Sequence, residues 1–554
     1  MHYILNYFYN FTLGPFIITI AHATFQSTII YSIQNCIIYT FSHTALICED
    51  HKLIHTTKII LMEECGSTAI GFLENKTILI TGATGFLAKI LLEKILRIQP
   101  NVKKLYLLLR ATDETTAMQR FCNEVMGKDL FKVLKEKWGA NLDSFISEKV
   151  SVVSSDISVS DMGLKDSILV EEIKHNVQII INLAATTNFN ERYDVALGTN
   201  TLGAKHVVDF AKQCPNFKLL VHVSTAYISG EKEGFILETP HKLGESLNGT
   251  EGLNIEIEQK IIEQRLKQLK DNGASEKDVT IAMKDLGIQR ANQYGWPNTY
   301  VFTKAMGEML INDLKHNLPL IIIRPTIITS TYKEPFSGWI EGTRTIDSLI
   351  VGYAKGKLTF IPCDTNSIID VIPADMVVNT IIATMVMHKL QYRQTIIYHV
   401  GSSTRNPMKI DDLQRFICKY FTEKPWINGD GNAIKVKKIT VFNNLASFHT
   451  YITIRYSFFL KVMEWVNKAS FHSFEDKYID LERKLNWVMR QLQFYRPYLF
   501  FKARFDDTNL EKLGRATHEN ETNRDTLFFD PKDINWENYF LNVHIPGLVK
   551  YVLK

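Results

Sequence analysis

The sequence predicts an α/β protein: a doubly wound parallel sheet with crossover helices, followed by a smaller, mainly helical C-terminal domain. Three observations carry that prediction. From residue 77 onward, short β-branched or leucine-rich runs alternate with amphipathic segments, the rhythm of parallel strands joined by helices. Several of those runs are apolar throughout, as in strands covered on both faces, where an antiparallel sandwich would alternate. After residue 400 the rhythm fades, and 411–505 reads as helices rich in Phe, Tyr and Trp.

The expected strands are TILIT (77–81), KLYLLL (104–109), VSVV (150–153), VQIIINLA (177–184), KLLVHVS (218–224) and LIIIR (320–324). Residues 232–290 interrupt the series with a polar insertion, EIEQKIIEQRLKQLKD (256–271), read as a helix whose charges lie on a solvated face. The run FHTYITIRYSFFLKVMEWV (448–466) offers aromatic surface for substrate or membrane contact. For any single aromatic, packing is the better account. The expected divisions are an atypical extension over 1–61, a sheet domain over 72–400 and a helical domain over 411–554.

Residues 1–48 contain no Asp, Glu, Lys or Arg. Apolar runs such as FIITI (16–20) are broken by polar residues, short of the roughly 18–20 apolar residues of a membrane span. Neither a secretory signal nor a transit peptide fits. Two readings remain, a membrane-targeting extension or upstream sequence included in the reading frame, and a chain beginning at Met62 is expected to keep its activity.

With 45% hydrophobic and 22% charged residues over 554 positions, the chain has globular composition. A net charge of +4, with no basic block interleaved with aromatics, gives no nucleic-acid footprint. The seven cysteines form no CxxC pair or Cys/His cluster, so free thiols and no metal site are expected.

The first chemical motif is TGATGFLAK (81–89), placed between a strand and the amphipathic segment FLAKILLEKILR. Gly82 permits a tight turn, Gly85 lets backbone approach a pyrophosphate, and Ala88 lets helix and strand pack closely. The expected dinucleotide-binding set here is Thr81, Gly82, Thr84, Gly85, Phe86, Leu87 and Ala88. Arg110 ends the second strand with no acidic residue at 109–111, which favours the 2′-phosphate of NADP over the ribose hydroxyl of NAD. A solvated strand-end arginine is the alternative. Asp156 and Ile157 follow the third strand, where a polar turn touches the adenine edge or simply caps itself. Ala184 and Ala185, in NLAATTNF (182–189), are small residues that make room under a cofactor.

The most specific constellation is Ser224-Thr225 in HVSTAY, followed downstream by Tyr300 and Lys304 in YVFTK. The YxxxK spacing puts phenol and ammonium on one helix face. A phenol of pKa about 10 is a poor acid at neutral pH, and an adjacent ammonium lowers that value. Lys304 is therefore expected to make Tyr300 a proton shuttle.

From FLENKTILITGATGFLAK (72–89) to the C-terminus, the chain resembles the alcohol-forming fatty acyl-CoA reductases, especially the plant branch. The phrases KKLYLLLRA (103–111), NLAATTNF (182–189), ERYDVAL (191–197), HVSTAY (222–227), GWPNTYVFTKAMGEM (295–309), VIPADMVV (371–378), YHVGSS (398–403) and HIPGLVKYVLK (544–554) carry it. The resemblance implies an NADPH-dependent extended short-chain dehydrogenase fold that converts long-chain acyl-CoA, or acyl-carrier protein, to a primary alcohol. It implies Tyr300 and Lys304 as the catalytic pair, Gly82, Gly85 and Ala88 in the cofactor turn, and Thr225 or Ser224 holding the substrate oxygen. It further implies a C-terminal domain that accompanies acyl binding, and peripheral association with the cytosolic face of the endoplasmic reticulum, with plastid or cytoplasm as alternatives. Asn190, Ser155 and DTNSI (364–368) depart from the family pattern. Because fold alone does not fix substrate, an aldehyde-releasing thioester reductase, a nucleotide-sugar epimerase and a non-catalytic scaffold are the rivals.

Overall fold

Seven strands, all parallel, form the central sheet: β1 (Thr77–Thr81), β2 (Lys104–Arg110), β3 (Val150–Ser155), β4 (Ile179–Asn182), β5 (Leu219–Val223), β6 (Leu320–Pro325) and β7 (Ile396–Val400). Their spatial order is β7-β6-β5-β4-β1-β2-β3. Strand order reverses between β1 and β4, which pair Ile78 to Ile179 and Thr81 to Asn182. Ligands of doubly wound sheets bind at that reversal, beyond the carboxyl ends of the strands. The computed structural model describes residues 69–387, 395–469, 475–518 and 526–553; the extension expected over 1–61 lies outside them.

Continuous apolar sequence explains the central strands, because β1, β4 and β5 are buried at every position. The seventh strand, IIYHV, escaped the sequence reading. The runs 177–184 and 218–224 are also longer than the strands they contain, since their ends turn into loops that form the site.

Helices from the first part of the chain shape much of the site and its surroundings. Helix α1 (Phe86–Ile98) is buried along most of its length, including Lys89 and Lys94, which are ion-paired with Glu341 and Glu334. The expected polar insertion is two helices, α2 (Ile255–Asp271) and α3 (Glu276–Gln293), capped by Asn254 and Ser275. Its charges are not all solvated: buried Glu258 accepts from Arg290 Nε at 2.9 Å and from the Tyr193 hydroxyl at 2.8 Å. Helix α4 (Thr299–Leu314) starts at Asn298, whose side chain accepts from Val301 N at 3.1 Å.

The C-terminal region is helical, as expected, with α5 (Phe458–Ala469) and α6 (Glu475–Leu499) as its hairpin. The described residues from 69 onward make one compact unit. Ala503–Phe505 pairs with Gly234–Ile236, Arg405 Nε lies 2.7 Å from Asp507, and Tyr539 donates to the Ser330 carbonyl at 2.8 Å. Contacts of high sequence separation thus tie the helical part to the sheet part. Among the described residues, no helix is long and apolar enough to cross a membrane.

Candidate active site

A cavity of about 700 Å³ opens at the β1/β4 reversal, lined from the carboxyl ends of β1, β4, β5 and β6 together with α4 and α6. On the β1 side it is walled by Gly82, Gly85, Phe86, Leu87 and Ala88. Gly82 has φ +68°, and a Cβ there would fall 2.7 Å from Ala184 Cα, so the turn needs glycine twice over. Thr81 ties the two strand ends together, donating to Asn182 Oδ1 at 2.6 Å and accepting from Ala184 N at 3.1 Å. Gly85 caps α1 without a side-chain hydrogen bond, leaving the first-turn N–H groups for an anion. A dinucleotide diphosphate fits this cradle.

Of the sequence-chosen residues, Ala185, Ser224, Thr225, Tyr300 and Lys304 also line the cavity. Thr81, Thr84, Arg110, Asp156, Ile157 and Ala184 do not; Thr81 and Ala184 instead form the base of the glycine turn. Arg110 is exposed at the carboxyl end of β2, one strand from β1. Asp156 closes its own turn, accepting from Ser158 N at 2.9 Å and Ser158 Oγ at 2.7 Å. The carbonyl of buried Ile157 lies 2.8 Å from His206 Nδ1.

Helix α4 presents Tyr300, Lys304 and Glu308 at four-residue intervals on one stripe. Glu308 is buried against Arg324, whose Nη2 lies 2.7 Å away. Burial pushes this carboxyl up, but the Arg324 charge and hydrogen bonds overcome it and hold it below the ordinary range. Lys304 donates to the Val223 carbonyl at 2.8 Å and lies 3.5 Å from His222 Nε2. Its ammonium is lowered to about 8 by burial, opposed by Glu308. His222, fully buried, is pushed well below its usual value by burial and then by Lys304. Ser224 lies beside the Glu308 carboxylate without a hydrogen bond of good geometry.

The expected lowering of the phenol by Lys304 is not what this site does. Burial pushes Tyr300 up to about 12, opposed by the nearby Thr225 hydroxyl and by the charge of Arg344. The Lys304 ammonium is turned to the Val223 carbonyl instead. Tyr300 therefore stays protonated through the neutral range, as a proton donor must.

Sequence reasoning missed several wall residues. Arg344, over the Phe86 ring at 5.3 Å, and Lys284, from the insertion assigned no chemistry, both line the cavity. So do Phe494, Tyr495 and Tyr498 of α6. The aromatic run QFYRPYLFF (493–501) is the signal that could have found them, but composition cannot tell a wall residue from a packing residue. Asn182 and His222, 3.1 Å apart under the site, carried no signal beyond their place in buried strands.

A doubly wound sheet, a glycine turn at its strand-order reversal and a Thr/Tyr/Lys set beyond the next strands define a dinucleotide-dependent reductase of the extended short-chain type. Residues 80–381 match the NAD-binding family described as male sterility protein, and 463–554 match a C-terminal family of the same description. The chain is 55% identical over 493 residues to the alcohol-forming fatty acyl-CoA reductase of Simmondsia chinensis, covering 89% of this chain and 100% of that one. It is 52% identical to fatty acyl-CoA reductase 1 of Arabidopsis thaliana, covering 88% and 99%. The chain belongs to the fatty acyl-CoA reductase family. Among solved structures, the terminal R domain of the myxalamid PKS-NRPS pathway superposes with a TM-score of 0.51 at 16% identity, covering 86% of this chain and 91% of that one. That likeness concerns the fold alone.

Proposed function

We propose that the protein reduces long-chain fatty acyl-CoA to the primary alcohol, through an aldehyde, using two equivalents of NADPH. The observation that carries this reading is the placement of Tyr300 and Thr225 in one cavity with the glycine turn on one side and the aromatic wall of α6 on the other. Gly82, Gly85 and the first turn of α1 hold the cofactor diphosphate, Lys304 the ribose, and Arg110 the 2′-phosphate. When bound there, NADPH supplies hydride to the thioester carbonyl carbon.

Tyr300 gives its phenolic proton to the carbonyl oxygen, and Thr225 holds that oxygen in reach. The resulting hemithioacetal expels CoA as the free thiol, and the aldehyde left in the same pocket takes hydride from a second NADPH while Tyr300, reprotonated from solvent, again protonates its oxygen. The apolar wall of Phe189, Phe494 and Tyr498 keeps water from the acyl side. Acyl-CoA is the proposed substrate, with acyl-carrier protein thioesters as a comparison in the assay. NADPH oxidation with palmitoyl-CoA and stearoyl-CoA, with gas chromatography of the products, tests this reading. Alcohol is expected from the parent, and Tyr300→Phe is expected to lose about 10²–10⁴-fold in rate at nearly unchanged NADPH affinity. Aldehyde as the final product, or a variant within about tenfold of the parent, would remove the assignment.

We also propose that the protein works at a membrane surface, on the cytosolic face of the endoplasmic reticulum. The support is a stripe of exposed apolar residues on and just before α5: Ile454, Phe458, Val462 and Trp465, the last 77% exposed. Arg455, Lys461 and Lys468 accompany it, the pattern of an interfacial helix. Co-sedimentation with vesicles of phosphatidylcholine and phosphatidylserine, lost on replacing Phe458 and Trp465 by Ser, is the expected outcome. Cell fractionation tests the compartment.

A further inference from the structure

The loop after β4 carries Phe189 and Asn190 into the cavity wall with no regular secondary structure of its own. Phe189 nevertheless lies against the proton donor: its ring centroid is 5.9 Å from that of Tyr300, the planes 26° apart. Its other neighbours come from a helix some 300 positions later in the chain. Tyr498 stacks on Phe189 at 5.4 Å and 13°, and Tyr495 meets it edge-on at 6.2 Å. Two turns earlier on the same helix, Arg490 Nη2 donates to Asn190 Oδ1 at 3.1 Å. Helix α6 thus grips the loop at two adjacent residues.

Tyr498 is itself fixed from behind. Tyr227 packs edge-on against it at 4.9 Å, and Tyr227 in turn meets Phe501 and Phe505 at 5.5 Å each. The Tyr498 hydroxyl also accepts from Asn298 Nδ2 at 3.4 Å, and Asn298 caps the helix that carries Tyr300. A partly exposed phenylalanine on an irregular loop has many rotamers open to it. Here the stack of three rings, Tyr300, Phe189 and Tyr498, leaves it one place.

We propose that Tyr498 is a positioning residue for the proton donor, acting through the Phe189 ring to hold Tyr300 in the orientation that delivers its proton. Helix α6 then positions the proton donor as well as walling the acyl site. This inference rests on the reductase reading. Its physical basis is that proton delivery demands near-attack geometry, where a displacement of about 1 Å can cost about 10²-fold, and that stacked aromatic pairs favour fixed offsets.

The test measures single-turnover NADPH oxidation with palmitoyl-CoA on the full chain, with NADPH affinity read separately from the fluorescence of bound cofactor. Y498A is expected to lower the rate about tenfold to hundredfold while NADPH affinity stays within about threefold. Y498F keeps the ring and should recover the parent rate to within about threefold, which assigns the effect to the ring and not to the hydroxyl. In the Tyr300→Phe background, Y498A should cost almost nothing more, because coupled residues are non-additive. A full repeat of the Y498A loss in that background, a parallel loss of NADPH affinity, or equal damage by Y498F overturns the proposal. Should Y498A not fold, Phe189→Leu enters the same cycle with the same expectations. If the parent itself oxidises no NADPH with any acyl thioester, the reductase reading fails first and this inference falls with it.

Discussion

Lys304→Met should make the protein more stable at neutral pH while disabling it. The Lys304 ammonium is fully buried, and burial lowers it from 10.5 to about 8. Below about pH 8 the ammonium is charged in both the folded and the unfolded chain, and the folded state carries the whole penalty. At about 1.4 kcal/mol per pH unit, that penalty is about 3 kcal/mol. Between about 8 and 10.5 the unfolded chain holds a proton that the folded chain has shed, so stability rises with pH; above 10.5 the penalty is gone. Methionine removes the penalty but leaves the Val223 carbonyl, now bonded at 2.8 Å, without its donor, at a cost of about 1–3 kcal/mol. A net gain of about 1 kcal/mol is therefore expected at pH 7, turning into a net loss from about pH 9 that is complete above about pH 10.5. The assay is the melting-temperature difference between variant and parent, both without cofactor, from about pH 7 to about pH 11. A difference of one sign and constant size across that range would refute the reasoning, because it would show that the ammonium is not charged against its surroundings. The same variant should lose most of its activity and part of its NADPH affinity, the trade between stability and function expected of a buried charge kept for chemistry.

Gly82→Ala should abolish NADPH binding, because φ +68° and a Cβ 2.7 Å from Ala184 Cα force the glycine turn apart; an unchanged dissociation constant by fluorescence titration would contradict this. Arg110→Glu should move cofactor preference from NADPH towards NADH, since a carboxylate repels a 2′-phosphate and accepts from a ribose hydroxyl; the ratio of kcat/KM for the two cofactors reads it directly, and no change would make Arg110 a solvated strand end. Breaking the buried pair by Arg324→Met should destabilise by about 3–5 kcal/mol, because Glu308 is left charged and enclosed; a melting temperature equal to the parent's would show that Glu308 has taken up a proton instead.

The sheet was legible because its signal is local. Runs such as TILIT and LIIIR owe their β-branched and leucine-rich character to burial on both faces. The glycine turn and the YxxxK helix were legible for a related reason: backbone approach to a phosphate and alignment one helical turn apart both impose fixed spacings on the chain. The local pattern around the motif was enough to place Tyr300 and Lys304 on one face of α4.

What the sequence could not decide is what those groups face. Lys304 sits one turn from Tyr300 in the helix, yet its ammonium goes to the Val223 carbonyl, a direction set by a strand 81 residues earlier. Arg344 reaches the cavity from a loop whose local sequence carries no mark of a site, and Tyr498 from an aromatic run that reads equally well as packing. How the helical part meets the sheet part was hidden for the same reason, since the strand at Ala503–Phe505 joins one at Gly234–Ile236. Periodicity and spacing fix secondary structure and the order of motifs because they depend on neighbours along the chain. Burial, the shift of an ionisable group and the partner of a ring depend on neighbours across it, and only the tertiary structure supplies those.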